Sequence, residues 1–266
     1  IRDSGKRHNF YFSFAVAQKE PTRSDFTDRY MFSGDDSYPS SEKLYDYELG
    51  YDYSSPRFSA GVNLYYMKYK DQLVPTGMVN DDSNALNTNV PDSYRRGVEL
   101  SASWRATGWF TVGANATFSQ NRIENYVDAL KDSPTYGKEL GDMTIAYSPD
   151  VIANAFLNFH HRGFEAVFHT QHVGKQYFTN NENDALSLDA YCVTNLNLAY
   201  TFRTRSARSV RLGLLINNLF NAEYESNGYG YSYMDTWSGP APVRIDEAYY
   251  FPQAPLNVLA NVTVKF

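Results

Sequence analysis

The connections between the strand-like segments of this chain alternate strictly between very short and long. Four connections span only a few residues each, at 54–57, 107–109, 162–163 and 205–208. The other five are long and cover 20–42, 73–92, 127–150, 178–188 and 222–254. Because tight turns at one rim and long loops at the other are typical of outer-membrane barrels, this pattern predicts an all-β antiparallel transmembrane β-barrel.

Composition fits the same prediction. Of the 266 residues only 42% are hydrophobic, and no stretch approaches the roughly 18 apolar residues that a membrane helix needs. Aromatic residues nevertheless make up 16% of the chain, with 23 Tyr. Lipid-facing residues that alternate with polar ones, together with aromatic girdles at both interfaces, account for both values. A Tyr-rich secreted β-domain is the alternative.

Charge is distributed unevenly along the chain. The five long connections hold 21 acidic and 5 basic residues, which gives their rim a charge of about -16 and leaves about +10 elsewhere. An acidic rim disfavours nucleic acid as a partner, because phosphate binding requires basic residues. The acidic rim is compatible both with an ordinary solvated surface and with a mouth that binds cations.

Apolar and polar side chains alternate within the predicted strands. The apolar face of the segment 256–266 consists of Leu256, Val258, Ala260, Val262, Val264 and Phe266. In the segment 94–105 the apolar face is Tyr94, Val98, Leu100, Ala102 and Trp104, opposite Arg95, Glu99, Ser101, Ser103 and Arg105. Such strands need lipid on one side and water on the other.

Ten strands are predicted in all, each long enough to cross a bilayer at a tilt. They are 9–19, 43–53, 58–72, 94–105, 110–119, 151–161, 164–177, 191–203, 209–221 and 256–266. Phe266 ends the last strand, so we place it at the short-turn, periplasmic rim. Ten is an even number, which permits a small closed barrel; in a larger barrel, the first and last strands would have open edges.

Several stretches resemble the C-terminal part of TonB-dependent outer-membrane receptors. They are FAVAQKEPTRSDFTD at 14–28, SEKLYDYELGYDY at 41–53, RGVEL at 96–100, LINNLFNAEY at 215–224 and YFPQAP at 250–255. These matches follow the family's order from about residue 10 to the final Phe266. The resemblance implies that residues 1–266 are the last ten strands of a probable 22-stranded barrel.

The resemblance also implies a function and a set of partners. A receptor of this family takes up a scarce nutrient, most often a ferric siderophore or similar metal complex, with energy from the TonB complex. No stretch of the chain resembles the plug domain or the short segment that engages TonB, and no charged-then-apolar leader precedes the first strand. We therefore expect a mature product or a part of a longer or split receptor. The remaining strands would come from the same parent protein or a companion chain. Outer-membrane lipid and the outer-membrane assembly machinery are the other expected partners, with Phe266 as the assembly signal.

Candidate chemistry is sparse in the sequence. Cys192 is the only cysteine, so neither a disulfide framework nor a CxxC metal site is predicted. The pairs His160–His161 and His169–His172 have spacings that separate their side chains on a strand. Ten-stranded outer-membrane proteases carry an Asp-x-His pair, which this sequence lacks; His172 below Glu182 and Asp184 is the nearest approximation.

A metal site is not predicted, and no cofactor is expected. The acidic pairs Asp35–Asp36 and Asp81–Asp82, together with Glu182 and Asp184, could bind calcium through carboxylate oxygens, but they lack the regular spacing of a calcium loop, so we interpret them as solvated loop charge. No HExxH, GxSxG or complete GxGxxG motif occurs in the sequence, and the chain is not expected to be an enzyme. A passive ten-stranded porin and an outer-membrane protease remain the alternatives to a receptor.

Candidate ligand-binding residues lie in the first and last long connections. They are Arg23, Tyr30, Tyr229, Tyr231, Tyr233 and Trp237. Exposed aromatic residues are costly unless they pack or bind something. Receptors of the resembled family use aromatic loops to bind their ligands, but the same residues would also pack a loop into a lid. The stretch 20–25 is predicted to order the first loop.

Overall fold

A computed structural model describes residues 2–3, 5–30, 38–80, 82 and 84–266. The first six long strands are β1 (Lys6–Lys19), β2 (Glu42–Ser54), β3 (Phe58–Val79), β4 (Ala85–Arg105), β5 (Phe110–Ile123) and β6 (Val151–His161). The next six are β7 (Phe164–Val173), β8 (Tyr191–Phe202), β9 (Ser209–Asn217), β10 (Glu225–Asp235), β11 (Val243–Pro252) and β12 (Asn257–Lys265). Two-residue strands lie at Arg2–Asp3, Met143–Thr144, Gln176–Tyr177 and Ser187–Leu188. The helices are α1 (Arg23–Thr27) and a 3₁₀ turn at Asp184–Leu186, and no helix in the described residues is long and apolar enough to cross a membrane.

Ten of the long strands form one antiparallel meander. The hydrogen-bonded order is β1 through β9 followed by β12, so the ten strands predicted from the sequence are confirmed. The strands β1 and β12 do not pair with each other in the described part of the chain, and the sheet is open. The closed ten-stranded barrel that the even strand count permits is therefore not formed.

One face of the sheet is apolar from strand to strand. Directly opposed residues share a face, so the register defines rows that run across the sheet. One such row is Phe12, Leu49, Leu64, Val98 and Phe118. Phe12 is 67% exposed and Leu49 is 55% exposed. Val262, Val264 and Phe266, at the other end of the sheet, are exposed as well. These apolar side chains are outside any protein core and form a lipid-facing surface.

Aromatic residues border this apolar surface at both rims. Tyr66 lies toward the long loops and Phe58 toward the short turns, eight residues apart on β3, which is about 26 Å along the strand. At the short-turn rim, the rings of Phe110 and Phe159 stack with centroids 4.5 Å apart, and Trp109 stacks on Phe159. Because barrel strands tilt by about 35–45°, this length along β3 corresponds to a height of roughly 20 Å, so both aromatic positions fit within the roughly 25 Å apolar band of membrane barrels.

The opposite face of the sheet is polar and lines the lumen. Asn63 donates a hydrogen bond to Glu99 at 3.2 Å, and Arg211 pairs with Glu165 at 2.7 Å. On this face the Tyr11 ring lies directly on Gly50, where a Cβ would come within 2.0 Å of a ring carbon. The glycine thus leaves room for an aromatic ring that covers its bare backbone.

Two of the predicted connections contain regular strands. The stretch 73–92 is not a loop, because β3 and β4 continue beyond the membrane and pair as far as Val79 and Ala85. The stretch 222–254 forms the β10–β11 hairpin, a separate two-stranded sheet. Both were missed because polar and glycine residues interrupt the apolar alternation that identifies a lipid-facing strand. A strand outside the membrane does not need an apolar face, because pairing with a neighbouring strand is enough to form it.

Small hydrophobic cores hold the long connections together above the sheet. The first contains Val74, Val90, Ile123, Tyr126 and Ile145. The second contains Phe178, Leu186 and Leu188. These cores position the candidate site, because they anchor the ends of strands to the loops that cross the mouth.

Candidate functional site

The β10–β11 hairpin packs one face against the second loop core. Phe178 is 2% exposed and lies against Gly228 and Gly230. A Cβ on Gly228 would be 2.7 Å from a carbon of the Phe178 ring, and one on Gly230 would be 2.9 Å from it. The two glycines therefore allow the hairpin backbone to lie directly on this ring, which fixes the hairpin across the long-loop rim.

The other face of the hairpin is a ladder of phenol rings around one carboxylate. The hydroxyls of Tyr231 and Tyr249 donate to Glu247 Oε2 at 2.6 and 2.9 Å, and that of Tyr233 donates to Oε1 at 3.3 Å. Tyr229 stacks on Tyr249 with centroids 4.9 Å apart and planes 13° apart. We refer to these four tyrosines and Glu247 as the tyrosine ladder.

The hydrogen bonds of the tyrosine ladder shift the pKa values of its side chains. Donation from Tyr231 and Tyr249 lowers the pKa of Glu247, and the carboxylate in turn raises the pKa of Tyr231. The ladder is thus a partly exposed aromatic surface with a fixed negative charge at neutral pH. Stacking and hydrogen bonding to a ligand are the interactions that such a surface offers.

A separate cavity of about 670 Å³ lies among the long connections. Its walls come from the first long connection, from β4 and from the loop after β5, and include Arg29, Tyr30, Tyr38, Asn89, Tyr126 and Tyr136. The Tyr30 hydroxyl donates to the Ala129 carbonyl at 2.6 Å, and burial raises the pKa of both Tyr30 and Tyr126. The volume is in the range of small-molecule sites in proteins.

The start of the first long connection is an ordered turn. Thr22 and Asp25 form a capping box on α1, with the Thr22 amide donating to Asp25 Oδ2 at 2.7 Å. Asn87 donates to Asp25 Oδ1 at 2.8 Å and ties the turn to β4. Burial alone would raise the pKa of Asp25, but the hydrogen bonds from Thr22 and Asn87 lower it. This geometry supports the prediction that the stretch 20–25 orders the loop.

Asn180 joins two further long connections to the extended β3–β4 hairpin. Its side chain is fully buried, accepts from the Ala146 amide at 2.7 Å and donates to the Pro75 carbonyl at 2.6 Å. Nearby, Glu182 accepts from the Thr144 amide at 3.0 Å and pairs with Arg122. Asn180 and Glu182 thus join the connection 178–188 to the connection 127–150, to the β3–β4 hairpin and to β5.

The predicted ligand-binding residues are not all brought together. Tyr229, Tyr231 and Tyr233 share the tyrosine ladder, whereas Tyr30 lines the cavity. Trp237 stands at the hairpin tip with 82% of its surface exposed, and Arg23 is exposed on α1. Asp35, Asp36 and Asp81, which the sequence analysis also considered, lie outside the described residues.

The residues considered for a protease or calcium site are in other environments. His172 is paired with Cys192 and Ala153 on β8 and β6, on the lipid-facing side of the sheet. Asp184 pairs with Lys175, and Glu182 is engaged by Arg122 and Thr144. These groups therefore do not converge on a common point.

Sequence reasoning missed Glu247, Tyr249 and Tyr126 as site residues. The first two become neighbours of Tyr229 and Tyr231 only through the register of the hairpin. The spacing of Tyr229, Tyr231 and Tyr233 by two residues is a strand signal that would have predicted one face of β10. No comparable signal exists for Tyr126, which packs in a loop core.

The fold and the rim together define a class of protein. An open antiparallel sheet with an apolar outer face, a polar inner face and long structured loops at one rim is part of the wall of a membrane β-barrel. The family model described as "TonB dependent receptor-like, beta-barrel" matches residues 5–219. The chain therefore belongs to the TonB-dependent receptor β-barrel family, whose barrels lie in the outer membrane of Gram-negative bacteria.

Solved structures show the same fold. The ferric yersiniabactin uptake receptor FyuA from Yersinia pestis is 19% identical, with a TM-score of 0.66 over 97% of this chain and 35% of that one. The copper transporter OprC is 18% identical, with a TM-score of 0.67 over 97% of this chain and 37% of its own. BauA, the ferric preacinetobactin receptor from Acinetobacter baumannii, is 13% identical, with a TM-score of 0.62 over 99% of this chain and 35% of its own. The chain thus spans about a third of the length of these proteins.

Proposed function

We propose that this chain forms the last ten strands and part of the outer mouth of a receptor that takes up a scarce nutrient, with a ferric siderophore or a similar metal complex as the ligand class. The observation that carries the proposal is the structured rim, in which the tyrosine ladder and the cavity lie above a lipid-embedded barrel wall. A ferric siderophore receptor and a copper transporter among the similar structures support this ligand class.

The proposed mechanism is binding followed by gated passage, with no covalent chemistry. The tyrosine ladder offers ring faces for stacking, and Tyr30 with its neighbours offers a second, partly enclosed site. Capture at the rim would hold the ligand above the lumen. Movement of a plug domain, energised through the TonB complex, would then admit it.

The open edges require partners for this function. Unpaired backbone groups on β1 and β12 are costly in lipid, since hydrocarbon offers no hydrogen bonds. The proposal therefore includes a plug and about twelve further strands, in the same parent protein or in a companion chain. The isolated 266 residues should then fail to form a closed, heat-resistant barrel, and a closed ten-stranded barrel on seminative gels would contradict this part.

Uptake measurements test the proposal directly. A strain that depends on the receptor is grown under iron or copper limitation with a panel of radiolabelled metal chelates, and uptake is measured with and without TonB. We expect at least one chelate to be taken up only when both the receptor and TonB are present. Uptake that is unaffected by loss of TonB would indicate a passive porin, and cleavage of added peptides by the purified protein would indicate a protease.

A pair of variants connects this uptake to the rim. Removing the stacked rings with Tyr229→Ala and Tyr249→Ala should weaken chelate binding by roughly tenfold to a hundredfold, since each stacked aromatic contact contributes about 1 kcal/mol beyond its buried area. Tyr200→Ala is the matched control, because Tyr200 is similarly exposed but faces lipid near the short-turn rim. Equal loss in both variants would exclude a specific role for the ladder.

A further inference from the structure

The tyrosine ladder has more hydrogen-bond acceptors than donors left for a ligand. The hydroxyls of Tyr231, Tyr249 and Tyr233 all donate to the Glu247 carboxylate, at 2.6, 2.9 and 3.3 Å. A hydroxyl carries a single hydrogen, so these three groups can only accept a further hydrogen bond. A ligand at this surface therefore meets oxygen lone pairs and one carboxylate, which favour a ligand that donates.

The rings of the ladder form one continuous aromatic surface. The centroids of Tyr229 and Tyr249 are 4.9 Å apart, and that of Tyr231 is 6.4 Å from Tyr249. Phe251 extends the surface, with its centroid 6.1 Å from Tyr229, and Tyr229, Tyr249 and Phe251 are all exposed. The face of an aromatic ring carries the negative part of its quadrupole, so a cation over that face is attracted to it. The exposed ring faces therefore suit a positively charged group.

The ladder face of the hairpin carries negative charge and no basic residue. Side chains alternate between the two faces of a strand, so Glu247 and Asp235 lie on the ladder face. Arg244 is the one basic residue of the stretch 225–252, and it lies on the opposite face, where it donates to Asp246 at 2.8 Å. In the described hairpin, the ladder face thus has two carboxylates and no cationic side chain.

The long connections around the hairpin add to this negative charge, since they hold 21 acidic and 5 basic residues. Two of the basic residues have local contacts: Arg29 lies 4.2 Å from the centre of the Tyr38 ring, and Lys138 donates to the Pro134 carbonyl at 2.8 Å. The rim stays strongly acidic even when the basic residues at the adjoining strand ends are included, which are Lys19, Lys43, Lys68, Lys70, Arg122 and Lys175. An excess of one sign of charge at a mouth concentrates ligands of the opposite sign before they make contact. The rim as a whole therefore attracts cations toward the ladder and repels anions.

We propose that the tyrosine ladder binds a positively charged ligand: a metal chelate that has a net positive charge or carries an ammonium or guanidinium group. This inference rests on the proposed function and narrows its ligand class. The rings would cover the cationic group, and Glu247 would accept a charge-assisted hydrogen bond from it. A ferric complex with several negative charges would instead meet two carboxylates and the negative faces of the rings.

Iron chelates that share one coordination sphere and differ only in charge test this preference. The probes are a linear ferric trihydroxamate with a terminal ammonium group, its N-acetylated form and its N-succinylated form, which are cationic, neutral and anionic. Binding to the assembled receptor in lipid nanodiscs is followed by the quenching of its intrinsic fluorescence. We expect the cationic form to bind at least about fivefold more tightly than the neutral form, and the anionic form to bind most weakly.

Glu247→Gln removes the charge of the ladder and keeps a side chain of the same shape. It should weaken binding of the cationic chelate by roughly three- to fivefold and change binding of the neutral chelate by less than about twofold. Glu223→Gln is the matched control, because Glu223 is exposed in the same connection but outside the ladder, and it should leave the preference unchanged. Amide exchange in β10 shows whether the hairpin is folded in each variant. Tyr229→Leu, which leaves the hydrogen bonds from Tyr231 and Tyr249 to Glu247 in place, is the second variant and should also weaken binding of the cationic chelate.

The outcomes separate this inference from the proposed function. Equal binding of the three chelates, tightest binding of the anionic form, or no binding of the cationic form would overturn the charge preference. A preference that survives in the folded Glu247→Gln and Tyr229→Leu variants would overturn its assignment to the ladder. Uptake of the cationic chelate without TonB would contradict the proposed function and leave the ladder's preference standing. TonB-dependent uptake that favours the anionic chelate would contradict the charge preference and leave the proposed function standing.

Discussion

Replacement of Asn180 should loosen the loops above the barrel without unfolding the barrel itself. Asn180 is fully buried and makes two hydrogen bonds to backbone groups, at 2.7 Å from the Ala146 amide and 2.6 Å to the Pro75 carbonyl. Asn180→Ala would leave both groups buried without a partner. At about 1–3 kcal/mol for each unsatisfied group, the local free energy of opening should fall by about 2–6 kcal/mol.

Hydrogen exchange is the direct assay, because it reports local opening at single amides. The Ala146 amide should exchange at least about 30-fold faster in Asn180→Ala, since 1.4 kcal/mol corresponds to a factor of ten. Amides in the middle of β6 should be unchanged in this variant.

Asn181→Ala provides the matched control. Asn181 is only partly buried and accepts from Thr179 at 2.7 Å, within its own loop. If Ala146 exchanges at the wild-type rate in Asn180→Ala, or equally fast in Asn181→Ala, then the side chain of Asn180 does not hold these loops together and the reasoning is wrong.

Three further predictions concern the ladder, the lumen and the end of the chain. Because the pKa of Glu247 is lowered in the folded hairpin, its contribution to hairpin stability should be complete above its usual pKa of 4.5 and lost as pH falls through the lower folded value. Amide exchange in the hairpin should show this pH dependence, and Glu247→Gln should remove it. Gly50→Val should displace the Tyr11 ring and destabilise the barrel by about 1–3 kcal/mol in heat-modifiability assays, while Gly108→Val, in open space, should have little effect; equal effects would argue against the ring–glycine contact. Removal of Phe266 should lower the amount of receptor assembled in the outer membrane several-fold, measured by surface labelling, and normal assembly would contradict its role as a signal.

The alternation of apolar and polar residues predicted the faces of a strand wherever one of those faces contacts lipid. The alternation in 94–105 and 256–266 predicted the faces of β4 and β12, because a strand between hydrocarbon and water has little freedom in which side it presents. Their boundaries were less accurate on the long-loop side. There β3 and β4 continue to Val79 and from Ala85 without an apolar face, held by their mutual pairing.

The site was harder to predict because its members are far apart in sequence. Tyr30 reaches Ala129 across 99 positions, and Asn180 reaches Pro75 across 105. No local pattern encodes such contacts. The tyrosines of β10 were identified by their type alone, whereas Glu247, which organises them, is an ordinary loop acid until the hairpin register is known.

The extended β3–β4 hairpin has a mechanical consequence for the receptor. Asp25 is hydrogen-bonded to Asn87 on β4, and Asn180 is hydrogen-bonded to Pro75 on β3. Two loops that are distant in the chain are therefore attached to the same hairpin. A tilt of the β3–β4 hairpin would displace both loops at once. A molecule bound among the first-loop residues would therefore also displace the segment that supports the Phe178 ring. Through the contacts of that ring with Gly228 and Gly230, it would displace the β10–β11 hairpin as well.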